Sequence, residues 1–287
     1  MEIGRYEIRS VETGRFRLDG GAMFGVVPRV LWSRVAEPDE LNRISLSMRT
    51  LIVRDAKAGR VILVDTGAGD KWDPVERDRF AFEIRPDALG TALADMGLCH
   101  DDVTDVLITH LHFDHNGGLT RWADDGHERT EPCFGRAKVW VHRQHWEHAL
   151  HPSDRDRGSF LSRDFSAIDE AGLLHWIEGD PPLSPFDELA LHLVHGHTPA
   201  QLLPWFAAAG RELLYAGDLF PTFAHLPVPW VMAYDVEPLK TVVEKRHILE
   251  CCAERGLILA SVHDPQVACA GIVQDRGRPL LGERFPL

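Results

Sequence analysis

Three histidines and one aspartate crowd into six consecutive residues, His110–His115 (HLHFDH), directly after a short apolar run. The run, Val103–Thr109 (VTDVLIT), predicts a buried strand, so the HLHFDH segment lies on the turn where that strand ends. A chain reversal there would aim the first two histidines at one point and the pair Asp114–His115 at a neighbouring point. Neutral imidazole and carboxylate suit Zn²⁺, Mn²⁺, Fe and Co²⁺, so the segment predicts a metal site, with capping and core-edge roles as the alternative.

Three further residues of ligand type follow apolar runs in the same way. His197 follows LHLVH, Asp218 follows ELLYA and His263 follows LILASV. A single histidine after a strand is more often a satisfied polar residue than a ligand. Together with the HLHFDH segment, however, the three residues supply enough ligands for two metal ions. Asp218 is the natural bridge, because a carboxylate can give one oxygen to each ion.

Short strands and helices follow one another without repeats or low-complexity tracts. Apolar runs and turn signals predict strands at 44–53, 61–64, 103–109, 138–142, 189–194, 212–216 and 257–262. Helical spacing predicts helices at 86–97, 144–150 and 238–255. Because strands occur both as neighbours and in alternation with helices, we expect an α+β arrangement of two mixed β-sheets covered by helices.

Composition excludes several classes of protein. The chain has 287 residues, 44% of them hydrophobic, which is enough for a substantial core and fits a single domain spanning 1–287. A net charge of −13 argues against nucleic acid or an anionic membrane as a partner. No apolar run approaches the roughly 18 residues of a membrane span, and the N-terminus lacks a signal peptide's apolar region.

The cysteines bear on the cellular compartment. Five are present, an odd number without disulfide or metal spacing, which favours buried free thiols in a reducing cytoplasm. We therefore expect a cytoplasmic protein. The expected partner is a small-molecule substrate. The sequence leaves the oligomeric state open, a homo-oligomer included.

The chain resembles the metallo-β-lactamase-fold hydrolases over nearly its whole length. The motifs that carry the resemblance are, in order, Val64–Gly67 (VDTG), the HLHFDH segment, Gly196–Pro199 (GHTP), Gly217-Asp218 and His263. The resemblance implies an αβ/βα sandwich of two mixed β-sheets flanked by helices, with a dinuclear site in the groove between the sheets.

The resemblance also implies a set of ligands for each of two divalent ions. Asp218 would bridge the ions, with His110, His112 and His197 on the first and Asp114, His115 and His263 on the second. Zinc is the first expectation, and manganese, iron or cobalt suit the same ligands. Asp65 looks like the family's carboxylate that orients a ligand histidine, although a plain turn role in Asp-Thr-Gly is the alternative.

Departures from the family pattern indicate which subgroup of the family the chain resembles most. The family often continues its Gly-His-Thr-Pro motif with Gly-His, where this chain has Ala200-Gln201. Position 112 is His and not Glu, which argues against the di-iron oxidoreductases, and the bridging position 218 is Asp and not Cys. The pattern is similar to lactonases, organophosphate hydrolases and thioesterases more than to antibiotic-degrading β-lactamases.

The implied activity is a hydrolysis, since two adjacent cations make hydroxide available near neutral pH. Asp114 is the candidate that carries a proton to the leaving group, and His225 and Tyr234 are candidate oxyanion donors or proton-transfer groups. The apolar segments Gly20–Trp32 and Leu219–Tyr234 either wall a pocket or pack the sandwich. Because no basic cluster stands ready for phosphate or carboxylate, the predicted substrate is a small, fairly apolar ester or lactone.

Other activities stay open at this point. A phosphotriesterase or β-lactamase activity would use the same site. A metal-dependent nuclease and a non-catalytic binding protein belong to different classes; the acidic charge counts against the first and the complete ligand set against the second.

A second histidine series occupies one predicted helix. His142, His145, His148 and His151 recur every three residues. At that spacing only neighbouring members share a helix face. Surface or pocket-rim histidines are therefore a better interpretation than an accessory metal site.

Overall fold

Mixed β-sheets with helices alongside them make up the computed structural model of the chain, which describes residues 1–124, 126–208 and 210–287. The predicted α+β fold class is confirmed. The chain divides into unit 1, residues 1–14 and 48–179, and unit 2, residues 15–47 and 180–287. The expectation of a single domain over 1–287 stays a prediction.

The strands and helices of the described residues have the following bounds. The strands are β1 Glu2–Ile3, β2 Tyr6–Asp19, β3 Arg43–Asp55, β4 Arg60–Val64, β5 Glu83–Ile84, β6 Asp105–Leu107, β7 Thr120–Trp122, β8 Thr130–Pro132, β9 Lys138–His142, β10 Leu174–Ile177, β11 Leu189–Val194, β12 Gln201–Ala208, β13 Arg211–Tyr215, β14 Ile258–Ala260, β15 Cys269–Asp275 and β16 Arg278–Arg284. The α-helices are α1 Gly20–Phe24, α2 Arg29–Trp32, α3 Pro74–Phe80, α4 Ala88–Asp95, α5 Phe113–Asn116, α6 Arg143–Leu150, α7 Ser166–Glu170 and α8 Pro238–Arg255.

The sheet of unit 1 has the order β1-β2-β3-β4-β6-β9-β10, with β5 paired to β2. Its neighbours β4, β6, β9 and β10 are parallel, and Val64 of β4 is in register with Leu107 of β6. Parallel strands end at the same edge of a sheet. The chain that leaves β4 at Asp65 and the chain that leaves β6 towards the HLHFDH segment therefore emerge side by side.

Apolar side chains of these strands form a core cluster in unit 1. Leu63, Val106 and Val139 come from three neighbouring strands and are all buried. Leu93 of α4 joins the same cluster, which explains why this helix packs against the sheet. The helix ends before Gly97, whose φ of +72° suits glycine better than any other residue.

The sheet of unit 2 has the order β11-β12-β13-β14-β15-β16 and is antiparallel except for the pair β13–β14. Helix α8 buries Ile248, Leu249 and Cys252 in a cluster that includes Leu214 and Leu259 of the two parallel strands. Strands β11, β13 and β14 lead to His197, Asp218 and His263. The prediction that these three residues follow strand ends is therefore confirmed.

Several boundaries and elements differ from the sequence prediction. The strands predicted at 103–109 and 257–262 are only three residues long, Asp105–Leu107 and Ile258–Ala260, because the chain turns before the polar residues that follow. Segment Gly20–Trp32 contains the short helices α1 and α2. The long strand β2 was not predicted; its buried residues recur at intervals of two and three positions and not in strict alternation.

Two composition-based expectations can be compared with the structure. All five cysteines are free. The expectation of buried thiols is confirmed for Cys251, Cys252 and Cys269, but Cys99 is exposed and Cys133 is only partly buried. Among the described residues, no helix combines the length and apolar character that a membrane crossing needs.

Candidate metal centre

Asp65 ties the end of β4 to the HLHFDH segment of unit 1. Its Oδ1 accepts a hydrogen bond from the backbone N–H of Thr109 at 2.8 Å, and its Oδ2 accepts one from Thr109 Oγ1 at 2.9 Å. His115 Nδ1 lies 2.9 Å from the same Oδ2. A carboxylate at Nδ1 holds the proton there and leaves the Nε2 lone pair for a metal. The prediction that Asp65 orients a histidine of this segment is confirmed.

The HLHFDH segment packs its polar side chains into one buried cluster. The ring centroid of His110 lies 4.5 Å from that of His112 and 4.0 Å from that of His115. His110 Nδ1 lies 3.1 Å from Thr109 Oγ1, and Asp114 Oδ2 lies 3.9 Å from His115 Nε2. Helix α5 starts at the fourth residue of the segment. The four ligand-type residues are each less than a tenth exposed.

A buried lysine that the sequence did not single out supports the chain just beyond this segment. The Lys71 ammonium donates hydrogen bonds to the backbone carbonyls of Gly117 and Thr120 and pairs with Asp164 at 3.1 Å. Both charged side chains of that pair are buried, and burial raises the pKa of Asp164. Because an unpaired buried charge is costly, this pair keeps the segment after α5 in place.

In unit 2, Asp218 lies between two histidines. Its Oδ2 is 3.3 Å from His197 Nε2, and its Oδ1 is 3.1 Å from His263 Nε2. His197 Nδ1 lies 3.0 Å from Asp235 Oδ1, and His263 Nδ1 donates to the backbone carbonyl of Ser47 at 2.7 Å. Both histidines therefore carry a proton on Nδ1 and turn Nε2 towards a carboxylate oxygen. The Nε2 lone pair of a neutral imidazole would repel the carboxylate at these distances unless a cation lay between them, so the donor set fits a metal ion.

The departure at Ala200-Gln201 lies after His197, where strand β12 begins. Ala200 has a φ of +59°, in the left-handed region that favours glycine, so the alanine is strained where the family often has Gly. Gln201 is buried, and its Nε2 lies so close to Gly217 that a Cβ there would meet it at 2.5 Å. The glutamine side chain therefore occupies space that any larger residue at 217 would need.

The two other predicted site residues lie in different surroundings. His225 is fully buried; its Nε2 donates to the Met23 carbonyl at 2.9 Å, and its Nδ1 lies 2.8 Å from Thr222 Oγ1. Its ring stacks on Phe24 with centroids 4.5 Å apart, and burial lowers the pKa of His225 to about 3. A catalytic role for His225 stays a prediction, and this placement favours a packing role instead.

Tyr234 belongs to the apolar segment Leu219–Tyr234, much of which packs in the core of unit 2. Phe220 and Leu226 of this segment are buried in the same cluster as the sheet. Tyr234 itself is 38% exposed and directly precedes Asp235, the residue that orients His197. Its predicted role in proton transfer or oxyanion binding stays a prediction.

The four histidines of the second series, His142, His145, His148 and His151, do not share one face of helix α6. His142 and His145 are buried, so the interpretation as surface residues is wrong for these two. His148 pairs with Asp156 at 2.6 Å, and His151 is exposed at the end of α6. His145 and His148 both pack against the Phe160 ring. None of the four histidines belongs to the His/Asp groups suited to a metal among the described residues.

Comparison with protein families identifies the chain at the level of its superfamily. The model of the metallo-beta-lactamase superfamily matches residues 50–251, more than half of the sequence. The chain therefore belongs to the metallo-beta-lactamase superfamily. This membership confirms the predicted superfamily and the prediction of a metal-dependent hydrolase.

Solved structures resemble the chain over almost its full length. A probable metal-dependent hydrolase from Staphylococcus aureus is 27% identical, with a TM-score of 0.87 over 99% of this chain and 100% of that one. The hydrolase AbOPH is 17% identical (TM-score 0.78, 100% and 96% coverage), and the dizinc quorum-quenching lactonase AidC is 16% identical (TM-score 0.78, 99% and 97%). The last two show a likeness of fold. No curated protein sequence matches the chain.

Proposed function

We propose that this protein is a dinuclear metal-dependent hydrolase that opens an ester or lactone of a small, fairly apolar substrate. The observation that carries the proposal is the arrangement around Asp218, whose two oxygens face the Nε2 atoms of two histidines. Both imidazoles have their Nδ1 atoms engaged by fixed partners, Asp235 and the Ser47 carbonyl. A carboxylate that gives one oxygen to each of two ions would use this geometry.

The proposed ligands come from the HLHFDH segment and from His197, Asp218 and His263, since neither group alone supplies ligands for two ions. With Asp218 as the bridge, the first ion would be held by His110, His112 and His197, and the second by Asp114, His115 and His263. Imidazole and carboxylate ligands suit zinc first, and manganese, iron or cobalt also. Two bound divalent ions would supply Lewis acidity and lower the pKa of a water enough for it to act as a nucleophile near neutral pH.

The protein's own residues would orient these ligands and move the proton. Asp65 and Asp235 hold the Nδ1–H of His115 and of His197, which fixes both ring orientations. We propose that the Asp114 carboxylate takes the proton released by the attacking water and delivers it to the leaving alkoxide oxygen. The Tyr234 hydroxyl is the proposed donor to the oxyanion that forms on the former carbonyl oxygen.

An aromatic cluster in unit 1 supports the choice of an apolar substrate. Phe113 lies inside the HLHFDH segment, and the rings of Trp72, Phe80 and Phe82 surround it with centroids 5.2 to 6.4 Å away. Phe80 and Phe82 are partly exposed, so apolar surface remains open next to residues of ligand type. Such surface favours acyl or alkyl groups over charged ones.

The fold neighbours are consistent with this substrate class. One, at 19% identity and a TM-score of 0.67, is an N-acyl homoserine lactone hydrolase solved with N-hexanoyl-L-homoserine at its catalytic metal centre. An N-acyl lactone combines a short apolar chain with a strained ester, so we propose it as the first specific candidate. The net charge of −13 disfavours a nucleic acid substrate.

A substrate panel with the metal-loaded protein tests the proposal. Lactones of increasing acyl length, aryl esters, phosphotriesters and β-lactams are compared by kcat/KM, each with and without prior chelation. We expect the highest kcat/KM for a lactone or aryl ester and loss of turnover after chelation. A higher kcat/KM for a phosphotriester or a β-lactam would show that the proposed substrate class is wrong. If the protein binds no transition metal, the proposal of a metal-dependent hydrolase is itself wrong.

A further inference from the structure

His145 lies on α6, outside the proposed ligand set, yet its side chain reaches the HLHFDH segment. The residue is completely buried. Its Nε2 accepts a hydrogen bond of 2.7 Å from the backbone N–H of Leu111, 34 positions earlier in the chain. Leu111 stands between His110 and His112 in the sequence. The imidazole of His145 therefore holds the peptide group between His110 and Leu111, on the stretch of chain that connects two proposed ligands.

The ring of His145 is also held between aromatic neighbours. Its centroid lies 6.2 Å from that of His110 and 5.8 Å from that of Phe160. Phe160 in turn packs edge-on against His112, with centroids 4.8 Å apart. The His145 ring therefore cannot move away from the Leu111 amide without disturbing its contacts with His110 and with Phe160, which packs on His112.

We infer that His145 is a positioning residue for the metal site, acting through the Leu111 amide on the geometry of His110 and His112. The inference rests on the proposed function, since it requires that these two histidines bind a metal. The accepted hydrogen bond means that Nε2 of His145 carries a lone pair and its proton is on Nδ1. Partners that orient ligands without touching the metal typically change metal affinity by about 10- to 100-fold when they are removed.

Two substitutions separate the hydrogen bond from the volume of the ring. His145→Leu removes the acceptor, whereas His145→Gln can place an amide oxygen close to the original Nε2 position. We expect His145→Leu to lower Zn²⁺ affinity by about 10- to 100-fold. His145→Gln should recover most of that loss. Affinity is measured by competition with a chromophoric chelator, and the visible absorption of the Co²⁺-substituted protein reports the ligand geometry.

A matched control comes from the same helix end. His142 is also buried, but its Nε2 contacts the Gly179 carbonyl at 3.1 Å and not the HLHFDH segment. His142→Leu should therefore keep wild-type Zn²⁺ affinity and an unchanged Co²⁺ spectrum. The melting temperature of the metal-free variants shows how much each substitution costs in packing alone. If His145→Leu does not fold, His145→Met, which fills more of the space, replaces it.

The outcomes distinguish this inference from the proposed function. A wild-type protein that binds no metal overturns both. A wild-type protein that binds metal, together with a His145→Leu variant of equal Zn²⁺ affinity and an identical Co²⁺ spectrum, overturns the positioning role alone. Equal losses of affinity in His145→Leu and His145→Gln would also contradict it, because the acceptor atom would then not matter.

Discussion

At the scale of single residues, hydrogen bonds decide which nitrogen of most of the proposed ligand histidines is available to a metal. Four of the proposed ligand histidines have a defined partner at Nδ1: Thr109 for His110, Asp65 for His115, Asp235 for His197 and the Ser47 carbonyl for His263. Where the partner is a carboxylate or a carbonyl, the proton must be on Nδ1. Because the proton of each such histidine is already on Nδ1, Nε2 can bind a metal without a change of tautomer.

Asp114 is the proposed proton carrier, and its substitution gives the first prediction. Asp114→Asn keeps the size of the side chain but can no longer accept a proton. We expect kcat to fall by about 100- to 10,000-fold while two metals stay bound. Steady-state kinetics and elemental analysis of the same preparation check this. Two bound metals with unchanged kcat would remove Asp114 from the proton path.

His225 gives the second prediction, a pH dependence of stability. Its pKa is about 3 in the folded protein against an ordinary value of 6.5, because burial disfavours the charged ring. Between pH 6.5 and 3 the unfolded chain binds a proton that the folded chain does not. The free energy of unfolding therefore falls as the pH falls, by about 1.4 kcal/mol per pH unit from this residue.

The variant His225→Gln isolates that contribution, since glutamine does not titrate and its amide can still donate to the Met23 carbonyl. Urea unfolding of both metal-free proteins at pH 7, 6 and 5 measures the two slopes. The slope of the variant should be shallower by about 1.4 kcal/mol per pH unit below pH 6. Parallel slopes would contradict the buried neutral histidine.

At the scale of elements, helix α8 holds a long connection of unit 2 through one buried lysine. The Lys245 ammonium donates to the backbone carbonyls of His225, Pro227 and Trp230 at 2.5, 3.0 and 2.7 Å. It also lies 5.3 Å from the centre of the Phe220 ring. The connection from Asp218 to α8, all of it within the described residues, contains no strand, so these three hydrogen bonds substitute for a sheet partner.

Removing this lysine gives the third prediction. Lys245→Met leaves three inward-facing carbonyls without their donor, so we expect the free energy of unfolding to fall by about 1 to 3 kcal/mol. Lys240→Met is the control, because Lys240 lies on the same helix but is exposed and pairs with Glu237 at the surface. Its effect should stay within about 0.5 kcal/mol. Equal effects in chemical denaturation would show that the three hydrogen bonds do not stabilise the fold.

Elements also show where local sequence patterns succeed. The strands that lead to ligand-type residues were predicted because short apolar runs end abruptly at polar residues, as in VTDVLIT before His110. Strand β12 was missed; its sequence QLLPWFAA contains Pro204 and lacks polar–apolar alternation. Pairing with β11 on one side and β13 on the other makes it a strand, and that pairing is decided by the sheet and not by the run itself.

At the scale of the whole molecule, binding of metal should be coupled to stability. A ligand that binds only the folded state stabilises it by about 4 kcal/mol at a thousand times its dissociation constant. We expect added Zn²⁺ to raise the melting temperature of the chelated protein. Asp218→Ala should show a smaller rise, because the proposed bridge is lost. Differential scanning calorimetry measures both, and equal rises in the two proteins would place the bound zinc elsewhere.

The sequence by itself determined the chemistry of the candidate site. Imidazole and carboxylate side chains are properties of residue types, and their positions after short apolar runs follow from local periodicity. The α+β fold class and the three residues that follow strands of unit 2 could therefore be predicted without coordinates. The superfamily could be predicted because the motifs resemble those of a known family. The contribution of Asp65 to the orientation of His115 was also accessible, through the motif around it.

Only the tertiary structure decided what surrounds those side chains. The Ser47 carbonyl at His263 lies 216 positions away in the chain, and the Leu111 amide meets His145 across 34 positions. Asp235, Lys71 and Lys245 carry no local pattern that marks them as supporting residues. Such contacts depend on which strands pair and how the connections cross them, because a hydrogen bond forms between atoms that folding brings together and not between neighbours in sequence.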